Sequence, residues 1–152
     1  MTAQSQDVAF PLIAKLLSQA VHHPDGFKVE QALHSGKAGS IQSNVQEKLW
    51  GWELWLVYIR NKYALKVLHV NQGERLSLQR HEKKEESWFV LMGHPELRIG
   101  DETFRAEPGD RNHIPTGTIH RISAPEDDVE ILEVSTPELW DVVRIEDDYG
   151  RK

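Results

Sequence analysis

Four side chains in the middle of this 152-residue chain have the types and spacing to share one divalent ion. Gln79 and His81 lie two residues apart in Ser77-Leu-Gln-Arg-His81, and in a strand two-apart residues point the same way. Glu86 opens the next alternating run after a short turn. Glu86, Trp88, Val90 and Met92 take one side and Ser87, Phe89 and Leu91 the other. If the two strands are neighbours, an amide oxygen, an imidazole and a carboxylate meet on one face, a donor set that suits a divalent metal. Gly109-Asp-Arg-Asn-His-Ile-Pro115-Thr-Gly117-Thr-Ile-His120 supplies a fourth donor, His120, at the start of a strand, with Pro115 and Gly117 making the turn before it.

The elements that must position these residues follow from periodicity. From about Leu49 onward the period is two, and strands are expected at 53–59, 64–70, 75–81, 86–92, 96–99, 103–106, 111–114, 120–123 and 129–135. Gly100-Asp101 reads as a hairpin turn. Many short strands separated by Gly, Pro, Asn and Asp predict an all-β sandwich or barrel. The first part of the chain differs. Apolar residues at 9, 10, 12, 13, 16, 17, 20 and 21 form a helical stripe with Pro11 in its first turn, and Phe27 to Ser35 predicts a second short helix stopped by Gly36. The expected organisation is an N-terminal helical extension, residues 1–47, before a β-barrel domain, residues 48–152.

Composition narrows the function. The absence of cysteine excludes disulfides, iron–sulfur clusters, thiolate zinc sites and a cysteine nucleophile. A net charge of -6 argues against a sequence-independent nucleic-acid binder, which needs a basic face. No apolar run approaches the roughly 20 residues of a membrane span, so no membrane partner is expected. Met1 to Asp7 is polar and lacks the basic start and apolar core of a signal peptide, which predicts a cytoplasmic protein.

The two ligand-bearing stretches resemble the paired motifs of the cupin superfamily. Gly73, His81, Glu86 and Gly93 stand in register with the first motif, Gln79 where a histidine usually stands. Gly109, Pro115, Gly117 and His120 match the second, with Ala124 in place of its final Asn. The resemblance is closer to cupin domains of type II mannose-6-phosphate isomerases. It extends through Leu49-Trp-Gly-Trp-Glu53 and, most specifically, through Asp141-Val-Val-Arg144 and Asp147-Asp-Tyr-Gly-Arg151. It covers roughly residues 48 to 151.

That resemblance implies an all-β cupin double-stranded β-helix, a jelly-roll barrel, with the helices packed outside. It implies a metal-dependent aldose–ketose isomerase acting on a small phosphorylated hexose, of mannose-6-phosphate to fructose-6-phosphate type. Gln79, His81, Glu86 and His120 would hold one divalent metal, zinc foremost, with Fe, Mn, Co or Ni also suited. Lys84 stands where the family places a basic residue facing substrate, and Arg144 lies in a segment that the family brings to the active site. Glu133 alternates with Val129 and Ile131, which makes it a candidate acid/base or a partner that supports the metal ligands. Lys66, between Leu65 and Val67, is a candidate phosphate contact, and Trp88, on the Glu86 face, a candidate pocket wall. A homodimer is expected by analogy with the fold. Two other functions remain open on these residues: a sugar-binding or regulatory cupin without turnover, and an Fe(II) cupin oxygenase, since two His and one carboxylate also suit that ion.

Overall fold

A computed structural model describes residues 44–152 as eleven strands in two antiparallel sheets. The N-terminal helices expected from the sequence lie outside the described residues. The strands are β1 (Asn44–Lys48), β2 (Gly51–Ile59), β3 (Tyr63–Val70), β4 (Leu78–Arg80), β5 (Glu86–Met92), β6 (Glu96–Ile99), β7 (Glu102–Arg105), β8 (Arg111–Ile114), β9 (His120–Ser123), β10 (Val129–Ser135) and β11 (Val143–Glu146). One sheet runs β1-β2-β3-β10-β5-β8 and the other β11-β4-β9-β6-β7. No helix among the described residues is long and apolar enough to cross a membrane.

Alternation decides which side chains enter the barrel. Along β5 the burial pattern repeats with period two, so Glu86, Trp88 and Val90 point in while Ser87 and Phe89 face out. Cross-strand register carries the same face across the sheet. Leu68 of β3 lies opposite Ile131 of β10, which lies opposite Val90 of β5. These join Trp50, Val70, Trp88, Leu97, Ile114, Ile122 and Val129 in the apolar core.

The interior changes character along the same strands. Beside the Leu68–Ile131 pair, the next inward pair of the β3–β10 ladder is Lys66–Glu133. On β2 the inward residues are Glu53 and Trp55, paired with Leu68 and Lys66. One end of the barrel is therefore lined by charged groups.

Two glycines of the motif stretches are required by the backbone. Gly93 has φ +77, and a Cβ there would meet the Asp128 carbonyl oxygen at 2.2 Å. Gly117 has φ +84 in the turn before β9, and its N–H donates to the His81 carbonyl at 2.7 Å. That bond joins the turn leading into His120 to the loop that carries His81.

The expected strand 75–81 is shorter in the structure. Only Leu78–Arg80 forms a strand, with Arg75 making an isolated bridge to Ser123, and His81 sits just past the strand end. Two further strands, β1 and β11, were not expected from the sequence.

Candidate metal centre and cleft

His81, Glu86 and His120 come together from β4's end, the start of β5 and the start of β9. One ligand atom from each lies within 4.8 Å of the others, and all three residues are buried. His120 Nε2 is 3.1 Å from Glu86 Oε1, and His81 Nε2 is 3.7 Å from Glu86 Oε2. Each imidazole is oriented through its other nitrogen. His81 Nδ1–H donates to the Asp141 carbonyl, and His120 Nδ1–H to the Thr118 carbonyl at 2.8 Å. With Nδ1 carrying the proton, a neutral ring presents a lone pair at Nε2. Both Nε2 atoms are buried without a hydrogen-bond partner.

Two imidazole lone pairs and a carboxylate turned toward one another fit a divalent cation, and oriented Nδ1–H groups are the usual support of histidine ligands. Burial first, and then the neighbouring Lys84 charge, push the His81 pKa down to about 4. The ring therefore stays neutral and able to coordinate over the physiological range. Gln79, the Cα partner of His120 across β4 and β9, lines the adjoining cleft, and its Oε1 accepts the Ser77 hydroxyl at 2.7 Å.

The cleft has a volume of about 400 Å³. His81 lines it, while Glu86 and His120 lie behind. Its wall carries an alternating row of ion pairs that ends at Glu86. Lys48 Nζ is 2.7 Å from Glu53 Oε1, and Lys66 Nζ is 3.0 Å from Glu53 Oε2 and 3.6 Å from Glu133 Oε1. Lys84 Nζ is 3.2 Å from Glu133 Oε1 and 2.6 Å from Glu86 Oε2.

Burial alone would raise the pKa of Glu53, but the Lys66 and Lys48 ammonium groups outweigh it and hold the carboxyl down at about 2. Glu86 is treated alike: burial opposes ionisation, and the Lys84 ammonium overrides it, so its pKa falls well below the usual carboxylate range. For Lys66, burial disfavours the charge, yet Glu133 and Glu53 raise its pKa above the ordinary value. Lys84 is raised likewise, by Glu133 and Glu86 against burial.

Arg144 reaches the cleft from β11, opposite Gln79 of β4. Its Nη1 donates to the Lys152 carbonyl at 2.9 Å, and it forms no ion pair with a carboxylate among the described residues. The acids near it in sequence are engaged elsewhere. Asp141 accepts the Lys84 backbone N–H at 2.9 Å, Glu146 pairs with Arg121 at 3.2 Å, and Asp147 with Arg151.

The cleft thus brings together Gln79, His81, Lys84, Glu133, Lys66 and Arg144. Trp88 is placed differently. It shares the inward face of Glu86 but packs in the apolar core, edge-on to His120 with ring centroids 5.4 Å apart, instead of lining the cleft. Trp50 and Trp55 are among the cleft's aromatic walls, and Lys66 sits 4.9 Å over the Trp55 ring. Sequence reasoning missed Lys48, Glu53 and Trp55. A signal existed for the latter two, since both share one face of β2.

The barrel and its buried His-Glu-His cluster define a cupin. Solved structures of similar shape include a cupin-2 domain from Rhodospirillum rubrum, 19% identical with a TM-score of 0.55, covering 64% of this chain and 70% of that one. Another is the capsular polysaccharide assembling protein CapF of Staphylococcus aureus, 18% identical with a TM-score of 0.60, covering 71% and 35%. At these identities the likeness speaks to the fold alone. Residues 39–147 match the family described as "Mannose-6-phosphate isomerase C-terminal", and the chain belongs to that family.

Among curated relatives, the alginate biosynthesis protein AlgA of Pseudomonas aeruginosa is 34% identical over 94 residues, 59% of this chain and 20% of that protein. The mannose-1-phosphate guanylyltransferase ManC of Salmonella typhimurium is 35% identical over the same shares. The chain spans about a fifth of the length of the curated relatives it matches.

Proposed function

We propose that this chain is a metal-dependent aldose–ketose isomerase of a phosphorylated hexose, of mannose-6-phosphate to fructose-6-phosphate type. The observation that carries the reading is the junction of a buried His81–Glu86–His120 cluster with a cleft wall that presents Lys84, Glu133 and Lys66. When bound there, with Gln79 as a fourth donor, a divalent ion such as zinc supplies Lewis-acid polarisation of the sugar's C1 and C2 oxygens.

The remaining work falls to the chain's own groups. Glu133 takes the proton from C2 of the aldose as a carboxylate and returns it to C1, while the proton of the O2 hydroxyl passes to O1, so that C2 becomes the carbonyl and C1 the alcohol. Lys84 and Lys66, at 3.2 and 3.6 Å from Glu133 Oε1, fix that carboxylate in place and set positive charge beside the enediolate that forms between the two transfers. Arg144, which has no carboxylate partner among the described residues, offers a planar fork to phosphate or enediolate oxygens.

The test is a coupled assay for conversion of mannose-6-phosphate to fructose-6-phosphate, with metal analysis of the same sample. Turnover that disappears on chelation and returns with metal supports the reading. One observation favours a second reading, a cleft that binds sugar phosphate without turnover: Glu133 is already engaged by two ammonium groups. Saturable binding of mannose-6-phosphate by metal-loaded protein, with no product formed, selects that reading and overturns the first.

A further inference from the structure

The two histidines of the cluster are aimed by different means. His120 Nδ1 faces the carbonyl of Thr118, two residues away in its own turn, at 2.8 Å. His81 Nδ1 faces the carbonyl of Asp141, sixty residues away, in the segment that joins β10 to β11. That segment lines the cleft through Leu139 and Val142. The Asp141 side chain ties it down, because Asp141 Oδ2 accepts the backbone N–H groups of Lys83 and Lys84, the latter at 2.9 Å. Asp141 forms no ion pair among the described residues, so its carboxylate is satisfied by the ligand-bearing turn itself.

We propose that Asp141 is a positioning residue that sets the metal affinity of the centre by clamping the 137–142 segment onto the turn 81–84. Its carboxylate holds the two segments together, and its carbonyl thereby keeps the His81 ring turned with Nε2 toward Glu86. The same clamp fixes the start of the Lys84 side chain, whose ammonium lies 2.6 Å from Glu86 and 3.2 Å from Glu133. The inference rests on the metal-centre reading above, and it assigns to a residue outside the cluster a control over the cluster's geometry.

The experiment is a titration of the full, metal-free chain with Co(II) alone, followed by the visible absorption of the bound ion and repeated with Zn(II) in competition. Asp141→Ala removes both accepted N–H bonds and should raise the metal Kd about 10- to 100-fold, the usual consequence of losing a partner that orients a ligand. Asp141→Asn keeps a side-chain carbonyl acceptor and should stay within about threefold of the unsubstituted chain. Asp141→Glu displaces the carboxylate by one methylene; it should share the alanine variant's loss, and it serves if that variant does not fold. Asp148→Ala, which breaks the Arg75–Asp148 pair in the same C-terminal tail, should leave the Kd unchanged.

Hydrogen exchange in the metal-free protein gives a second readout. The Lys83 and Lys84 amides should exchange faster in Asp141→Ala and not in Asp141→Asn. An alanine variant that binds metal as tightly as the unsubstituted chain overturns the proposal, as does an asparagine variant as weak as alanine. An unsubstituted chain that binds neither ion overturns the metal-centre reading and this inference with it, and that result is distinct because it needs no variant.

Discussion

The two ends of the barrel interior are built from the same strands by the same alternation, yet they hold opposite chemistry. At one end Val70, Val129, Leu68, Ile131 and Val90 pack with no polar atom among their side chains. One inward pair further along, Lys66 faces Glu133, with Glu86 inward on neighbouring β5. A β-sheet fixes only which side a residue faces; it does not fix what that face must be made of. The apolar end is stabilised by removing hydrocarbon from water. The charged end holds buried ions, whose desolvation cost is offset only because each has partners of opposite sign. The difference teaches that stability and function should separate along the barrel axis, and substitutions at the two ends can break or sharpen that division.

The largest contrast is between His120→Ala and Ile131→Ala. His120→Ala deletes one donor of the His-Glu-His cluster and should lower metal affinity by more than about 100-fold, beyond the loss expected for an outer partner, with the proposed isomerase turnover falling alongside. Ile131→Ala, at a residue fully buried in the core, should cost about 2–5 kcal/mol of stability and leave metal stoichiometry and Kd unchanged. Metal titration and urea unfolding on both variants read the two effects. If His120→Ala lowers stability most and Ile131→Ala abolishes metal binding, the division along the axis is wrong.

Next in size is Glu133→Gln. If Glu133 is the proton-transfer group proposed above, its loss should reduce kcat by about 10²- to 10⁴-fold with metal content unchanged. Lys84 and Lys66 lose a shared partner, so the melting temperature should fall as well. A variant that loses stability but keeps kcat would reduce Glu133 to a structural counter-ion.

Legibility in the sequence followed the same division. The bounds of β5, β6, β8, β9 and β10 could be read directly, because their inward residues are mostly apolar and the period-two signal is intact. β1, Asn44-Val-Gln-Glu-Lys48, was illegible for the opposite reason. Gln46 and Lys48 on one of its faces line the charged cleft, so that face carries no hydrophobic signature. β2 hid Glu53 as a cleft residue because Glu53 and its neighbour Leu54 are both buried, so the strand shows no clean apolar alternation there. β11 is four residues long and is held by a register-shifted pairing to β4, a tertiary contact that no local pattern announces. The candidate ligands were legible because glycines and a proline at fixed offsets mark their turns. Trp88 misled for a geometric reason: facing the same way as Glu86 says nothing about depth, and one alternation step separates the cleft from the core. The Asp141 clamp joins segments far apart in the chain through backbone groups, which sequence spacing does not encode.

A smaller effect is expected for Arg144→Lys. If the guanidinium acts on substrate oxygens, losing its fork should lower kcat by roughly 10²-fold with little change in metal content. Steady-state kinetics with metal analysis decide this. An unchanged kcat would point to a structural role through the hydrogen bond to the Lys152 carbonyl.

The smallest effect sharpens the comparison by acid. Glu53 has its pKa held down at about 2 in the folded chain, against an ordinary 4.5, because Lys66 and Lys48 overcome the cost of its burial. A carboxyl that binds its proton more weakly when folded stabilises the fold above pH 4.5, and that contribution is lost as pH falls toward 2. Between pH 5 and pH 3 the loss from this one group should be about 2 kcal/mol, roughly 20-fold in the folding equilibrium. Other carboxylates also titrate in this window, so the informative quantity is the difference in slope between the unsubstituted chain and Glu53→Gln. The variant should be less stable at pH 5, where Lys48 and Lys66 lose their shared partner, and should lose less on acidification. A core substitution such as Ile131→Ala should shift stability equally at both pH values, since no residue of the described core cluster carries a group that titrates between pH 3 and 5. Urea unfolding of the three proteins at the two pH values reads the result, and parallel acid slopes for all three would mean that the buried ion row contributes nothing to the acid sensitivity of the fold.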